Sequence, residues 1–274
     1  MTEWFWVDGE RNGTVSPDDR GLNLADGAFE TVRVEQGILQ LPEMHRNRLA
    51  RGLSLLGFPG PGVIAAKALR DGATRAREVL AAAEGSLRIT VTRGSSPRGY
   101  GLPENIYPRV ILRLNEGLPP PTDPVTINIS PIRWGHQPLY GGCKLLARTE
   151  QILALMEARR AGYEDAVMLN QEGYWQSTCS GNVFIRVGDT LFTPPVDSAG
   201  IAGTRRKLIL DLLAQTIGLE AHEEPLTQRL LEMADEAFSC SSLMGVRSIY
   251  AVDNFYFDST AAADYLRPMI HQVP

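Results

Sequence analysis

The chain has 274 residues, 43% hydrophobic and 22% charged, with a formal net charge of -5 and a pI near 5.5. That is globular composition, enough for one large core or two smaller ones, and its weakly acidic balance, without a basic run, excludes an electrostatic footprint for nucleic acid. No stretch approaches the roughly 20 apolar residues of a membrane span, and the opening MTEWFWVDGERNG lacks the basic start and long apolar centre of a signal peptide.

Cys143, Cys179 and Cys240 are far apart and odd in number, so neither a disulfide framework nor a zinc site is expected, and a reducing cytoplasm is the expected setting. In chain order, TEWFWVDG, AFETVRVEQG and ILQL read as strands, the last two forming a hairpin through Gln36-Gly37. PEMHRNRLARGLSLLG, with Pro at its start, Gly at its end and leucines at helical spacing, predicts a helix. A second helix is expected over VIAAKALRDGATRAREVLAAA, followed by the strands SLRITVTRG and RVILRLN. NEGLPPPTDP holds four prolines and can neither pair in a sheet nor continue a helix. It divides the chain into an N-terminal α/β domain (1–117), a Pro-rich linker (118–124) and a C-terminal domain (125–274).

Beyond it come the strand VTINIS, a helix over LLARTEQILALMEARRAG and short strands around EDAVML, GNVFIRV and TLFTP. TRRKLILDLLAQTIG reads as a helix closed by Gly218. AFSCSS and RSIYAVD read as strands, before a terminal helix. Clustered strands with helices between them give an α+β class.

Five places could carry chemistry. Lys144, behind Gly141 and Gly142 at the start of a helical pattern, is either a solvated surface lysine or one partly removed from water, able to form a Schiff base. Gly203 and Thr204 begin a helix, either as a plain cap or as a turn whose backbone N–H groups take a phosphate. His45 and Arg48 share a helix face that is either solvated or anion-binding. RGSSPRGYG sets Arg93, Arg98 and Tyr100 in a Gly-rich loop, as a simple turn or an anion-recognition loop. Ser241 and Ser242 close an apolar strand.

These pieces stand in an order that resembles the fold-type IV pyridoxal-5'-phosphate (PLP) enzymes along almost the whole chain. DDRGLNLADGAFETVRV is similar to that family's Asp-Arg…Gly-Asp-Gly-x-Phe-Glu-Thr-x-Arg signature, with Ala25 where the first glycine is usual. HRNRL resembles the segment whose arginine holds the cofactor phosphate, which implies that role for Arg48. GGCKLLARTEQ resembles the segment carrying the cofactor lysine, here Lys144. GNVF matches the Asn-x-Phe after the cofactor strand, implying Asn182, and GIAGTRR resembles the phosphate-binding turn, implying Gly203, Thr204 and Arg205. ADEAFSCSSLMGV matches the strand leading to a phosphate-side contact, here Ser242. The resemblance implies a small N-terminal α/β domain, a larger C-terminal PLP-binding domain with a β-barrel-like core, and a homodimer acting on a small-molecule substrate, without nucleic acid or membrane partners.

Within that family, RGSSPRGYG, the pattern from Lys144 to Arg148 and Ser-Ser-Leu-Met-Gly-Val are similar to aminodeoxychorismate lyases of the folate pathway. Ser241 stands where those enzymes have asparagine, and Thr149 where they have leucine. The likeness implies Arg98, Tyr100 and Ser241 as substrate-binding residues. A branched-chain or D-amino-acid aminotransferase of the same fold is the alternative, and a non-catalytic PLP-binding protein a second. The family normally places a glutamate five residues before the Asn of Asn-x-Phe, where it keeps the pyridine nitrogen protonated; here that position is Ser177. A serine hydroxyl can hydrogen-bond an unprotonated ring nitrogen but cannot stabilise a pyridinium by charge, so Ser177 implies a bias toward elimination over transamination.

Overall fold

The computed structural model describes residues 2–118 and 124–272. Most of the expected Pro-rich linker, residues 119–123, lies outside the described residues. The described chain divides into two compact units: residues 2–118 with 143–147, and residues 124–142 with 148–272.

The first unit runs β1 (Glu3–Val7), β2 (Glu10–Arg11), α1 (Arg20–Leu24), β3 (Gly27–Glu35), β4 (Ile38–Leu39), α2 (Pro42–Leu55), α3 (Pro61–Val79), β5 (Glu84–Thr92) and β6 (Arg109–Glu116). Its six strands form an antiparallel sheet in the order β2-β1-β6-β5-β3-β4. The β3–β4 hairpin turns at Gln36 (φ 50°) and Gly37 (φ 76°), both in the left-handed region that a tight two-residue hairpin demands. Both long helices take proline in their first turn, where its missing N–H is no loss. Period-two alternation along β3 and β5 buries Val32, Val34, Leu87 and Ile89 against Leu49 and Leu53 of α2 and Ala65, Ala68 and Leu69 of α3. Each such leucine contributes roughly 1.5–3 kcal/mol on leaving water.

The second unit holds β7 (Val125–Ile129), α4 (Thr149–Arg160), β8 (Ala166–Leu169), β9 (Trp175–Thr178), β10 (Asn182–Val187), β11 (Thr190–Thr193) and α5 (Thr204–Leu208). A π-helical turn (Ile209–Leu213), α6 (Ala214–Thr216), β12 (Glu220–Glu223), α7 (Gln228–Glu232), β13 (Glu236–Ser241), β14 (Gly245–Val252), β15 (Phe255–Tyr256) and α8 (Ala261–Met269) complete it. The strands run β12-β11-β10-β13-β14-β7-β8-β9, with β15 on β14. The last strand of that path passes directly into the third through residues 179–181, a turn closed by the Thr178 N–H donating to the Gly181 carbonyl at 2.9 Å. The sheet therefore curls into a barrel-like core, filled by Ile127, Val167, Trp175, Val183, Ile185, Leu226 and Ile249. Together the units give the expected α+β architecture, a smaller N-terminal part and a larger barrel-like one.

Two helices differ from expectation. The one predicted to start just beyond Lys144 begins only at Thr149, because the backbone of residues 144–146 is bonded to β3. The helix after Gly203 is α-helical only to Leu208, then opens into the π turn before α6, with Gly218 at φ 78° just beyond. Such an insertion widens one turn, and hydrophobic periodicity does not announce it.

Candidate active site

In the first unit, residues 143–147 run extended along the start of β3. The Phe29 N–H donates to the Lys144 carbonyl and the Leu146 N–H to the Gly27 carbonyl, both at 3.0 Å. Gly27 has no room for a side chain: a Cβ there would stand 2.2 Å from the Val91 carbonyl oxygen and 2.9 Å from Leu146. Two backbone bonds thus fix the lysine's main chain, which corrects the helix-start placement.

The Lys144 Nζ lies 4.5 Å from the centroid of the Phe29 ring, and the Arg88 guanidinium carbon lies 4.0 Å from the same centroid. Both cations therefore use one aromatic face system. Burial, with Arg113 as a neighbouring positive charge, lowers the Arg88 pKa from its ordinary value. Neither Phe29 nor Arg88 was singled out from sequence. Phe29 stood inside the Gly-x-Phe-Glu-Thr signature, which was the available signal, whereas Arg88 in an alternating strand gave none.

Glu30, the next residue of β3, points to the opposite face and is fully buried. Its carboxylate accepts from Arg48 Nε at 2.8 Å and Nη2, and pairs with His45 Nδ1 at 2.6 Å. His45 and Arg48 do share a face of α2, but that face meets a buried carboxylate, so the solvated reading is overturned. Burial pushes the Glu30 carboxyl up; the Arg48 guanidinium and then His45 more than reverse this, bringing it down to about 2. The ionised carboxylate makes His45 Nδ1 the donor of that pair.

Arg93 also departs from the loop reading. It is buried, donates twice to Asp26 at 2.7 and 2.9 Å, and stacks on Phe58, so it holds the strand end. Arg98 and Tyr100 are exposed, Tyr100 at 88%.

In the second unit, Gly142 and Ala202 clasp the chain. The Gly142 N–H donates to Gly200 at 3.3 Å and the Ala202 N–H to Gly142 at 2.9 Å. A Cβ on Gly141 would lie 1.9 Å from the Asp197 carbonyl oxygen, so it is backbone that approaches these glycines. Asn182 donates through Nδ2 to Ile201 at 2.8 Å, and a Cβ on Gly203 would stand 2.0 Å from Asn182 Oδ1. Only glycine can therefore precede Thr204, since the Asn182 side chain fills the space a Cβ would take. Arg205 is 1% exposed, and its Nη1 donates to the Ile270 carbonyl, so its side chain points into the protein.

Ser177 is buried on β9, and its Oγ accepts from Trp134 Nε1 at 2.7 Å. Gln176 points to the other face, as alternation requires, and donates to the Pro195 and Ala199 carbonyls. The indole N–H can only donate, so the Ser177 hydroxyl keeps its own proton for another acceptor. Trp134, beneath the Arg148 guanidinium at 5.8 Å, was not foreseen: a tryptophan in a loop gives no sign of its partner. Ser241, the last residue of β13, and Ser242, just beyond it, are half-buried, and Ser241 Oγ accepts from the Met244 N–H at 3.4 Å. Burial, with Asp165 nearby, pushes the Cys179 thiol up to about 12, and burial does the same for Cys240. Neither is a thiolate nucleophile near neutral pH.

A profile of the Amino-transferase class IV family matches residues 27–252. The chain is 30% identical to an aminodeoxychorismate lyase of Vibrio harveyi, over 90% of this chain and 91% of that one. It is 28% identical to a putative branched-chain-amino-acid aminotransferase of Methanocaldococcus jannaschii, over 89% and 84%. Among solved structures, 4-amino-4-deoxychorismate lyase of Pseudomonas aeruginosa superposes with a TM-score of 0.88 at 30% identity, covering 98% of each chain.

Proposed function

The chain belongs to the amino-transferase class IV family of PLP-dependent enzymes, and we propose that its reaction converts 4-amino-4-deoxychorismate to 4-aminobenzoate and pyruvate. The observation that carries this reading is the near full-length likeness to lyases of that name in both sequence and structure.

The residues present fit the cofactor. A lysine amine stands over an aromatic ring on a backbone fixed by two bonds to β3, and Gly203 and Thr204 form a largely buried turn at the start of α5, whose first backbone N–H groups could hold a phosphate. In our reading Lys144 holds the cofactor covalently. Arg48 and Ser242, with the main chain of Gly203, Thr204 and Arg205, hold its phosphate, and Asn182 braces that turn through Ile201. Ser177, whose Oγ already accepts from Trp134, would have its hydroxyl proton to donate to the cofactor's ring nitrogen.

When bound, PLP supplies a sink for the electron pair left on carbon after proton loss. The Lys144 amine would take the proton from the substrate carbon bearing the amino nitrogen, and a proton must return to the methylene of the departing enolpyruvate to give pyruvate. Arg98, Tyr100 and Ser241 bind the substrate's carboxylates. Pyruvate leaves as the six-membered ring becomes aromatic. The same reading places the reaction in folate biosynthesis, carried out by a cytoplasmic homodimer; among the described residues no helix is long and apolar enough to cross a membrane.

The test is purified, PLP-loaded protein given 4-amino-4-deoxychorismate without any keto acid: pyruvate is expected, and its absence overturns the assignment. The 28% identity to a putative aminotransferase supports the second reading, transamination, which would instead convert the bound cofactor to its amine form when given an amino donor. Ser177 separates the two. Ser177→Glu is expected to raise the transamination half-reaction by at least about 10-fold, one pKa unit's worth of stabilisation of the ring charge, while the parent stays slow. A parent that transaminates as fast as the variant removes this role from the serine.

A further inference from the structure

The segment between β5 and β6, residues 93–108, contains no strand or helix, and from residue 97 onward its backbone N–H groups make no backbone hydrogen bond among the described residues. It is held from outside. Arg20, the first residue of α1 and 5% exposed, directs Nη1 to Ser96 Oγ at 3.1 Å and to the carbonyls of Gly99 and Gly101 at 3.3 and 3.0 Å. Its Nη2 reaches the Tyr100 carbonyl at 3.3 Å. Three successive carbonyls thus converge on one guanidinium.

The arginine is itself held. Its Nε donates to Asp26 at 2.8 Å, its own N–H donates to the Gly94 carbonyl at 2.9 Å, and Asp26 is shared with Arg93. Burial pushes the Asp26 carboxyl up, while its bonds to Arg93 and Arg20 more than offset this, so its pKa lies below the ordinary value. The planar fork, with donors at fixed angles, serves several acceptors at once in a way that an ammonium on a flexible stem cannot.

We infer that Arg20 is a positioning residue for substrate recognition: by gathering the carbonyls of residues 99–101 it sets where the side chains of Arg98 and Tyr100 stand. The inference rests on the proposed substrate role of that loop. Arg20 touches none of the groups assigned to the cofactor, so its loss should alter substrate binding without releasing PLP. Asp26 would keep Arg93 as a partner, so no buried carboxylate is left unpaired.

The experiment compares parent holoenzyme with Arg20→Lys and Arg20→Gln, reading KM and kcat for pyruvate release, the visible absorbance of bound PLP, and the rate of tryptic cleavage after Arg98. Expected is a KM raised about 10-fold or more in Arg20→Gln, less in Arg20→Lys, with kcat and PLP absorbance changed less than about threefold and cleavage at Arg98 several-fold faster. Unchanged cleavage and KM in both variants overturns the inference, as does loss of PLP or of kcat in step with a fall in Tm. If the parent releases no pyruvate while cleavage at Arg98 still accelerates in the variants, the lyase reading fails and the clamp on the loop stands.

Discussion

Lys144→Ala is expected to lower pyruvate release by roughly 10⁴-fold, the upper range for removing a positioned general base, while shifting Tm by only a few degrees. The small effect on stability follows from where the segment gets its hold. Residues 143–147 are fixed by the Phe29 and Leu146 backbone bonds and by burial of Cys143 and Leu145, none of which involves the lysine side chain. What is lost includes the contact with the Phe29 ring, worth about 0.5–1 kcal/mol where partly exposed, or a few degrees of Tm at this chain length. Lys144→Arg is as informative. It keeps a cation near the ring, but a guanidinium stays protonated, so activity is expected to fall equally. Borohydride treatment of the parent holoprotein should place the label on the peptide containing residue 144; label on another lysine removes the site, the chemistry and the assignment together.

The second large effect concerns stability. Glu30→Ala is expected to cost about 3–5 kcal/mol, because it leaves Arg48 buried without its carboxylate and His45 without its acceptor. Glu30→Gln should cost less, since an amide oxygen can still accept. Acid should reproduce part of the loss. The Glu30 carboxyl sits at about 2 in the folded chain against an ordinary 4.5. A carboxylate depressed in this way contributes stability that is fully present above about pH 4.5 and is lost as pH falls toward 2. The magnitude is roughly 3 kcal/mol at about 1.4 kcal/mol per pKa unit. Urea midpoints measured from pH 7 down to pH 3 should fall more steeply for the parent than for Glu30→Gln; parallel curves would show that the Arg48 and His45 pairing does not stabilise the fold. Because Arg48 is also assigned to the cofactor phosphate, both variants should in addition lose PLP more readily on dialysis.

Much of the fold was legible where local chemistry and tertiary structure agree. Gln36-Gly37 names a hairpin because glycine adopts freely the left-handed backbone the turn needs, and Pro42 marks a helix start because an N–H is dispensable there, whereas α3 begins at Pro61, two residues before the expected Val63. The candidate site was drawn in outline from Lys144, Gly203, Asn182 and Ser177, whose motifs stand in an order that resembles a known family. What stayed hidden depends on partners distant in sequence. LLAR reads as helix by propensity, yet residues 144–146 bond to β3 instead, and a tertiary ladder overrides a preference worth tenths of a kcal/mol per residue. Glu30 stood only inside the Gly-x-Phe-Glu-Thr signature, and nothing local announced its pairs with His45 and Arg48 of α2. The hydrogen bond from Trp134 to Ser177, which decides the direction of the serine proton, joins residues with no shared local pattern. The short β12, Glu-Ala-His-Glu, carries none of the apolar alternation by which strands are read.

The segment that carries Lys144 is the last part of its unit to be synthesised. β5 pairs with β3 and β6 with β5, and β6 closes on β1 across more than a hundred residues, while the pairing of residues 27–29 with residues 144–146 must wait for the chain to pass beyond that sheet and return. Closing so long a loop is entropically slow to be rewarded. A chain interrupted before residue 143 would hold the six strands of the first unit and lack the segment that carries Lys144.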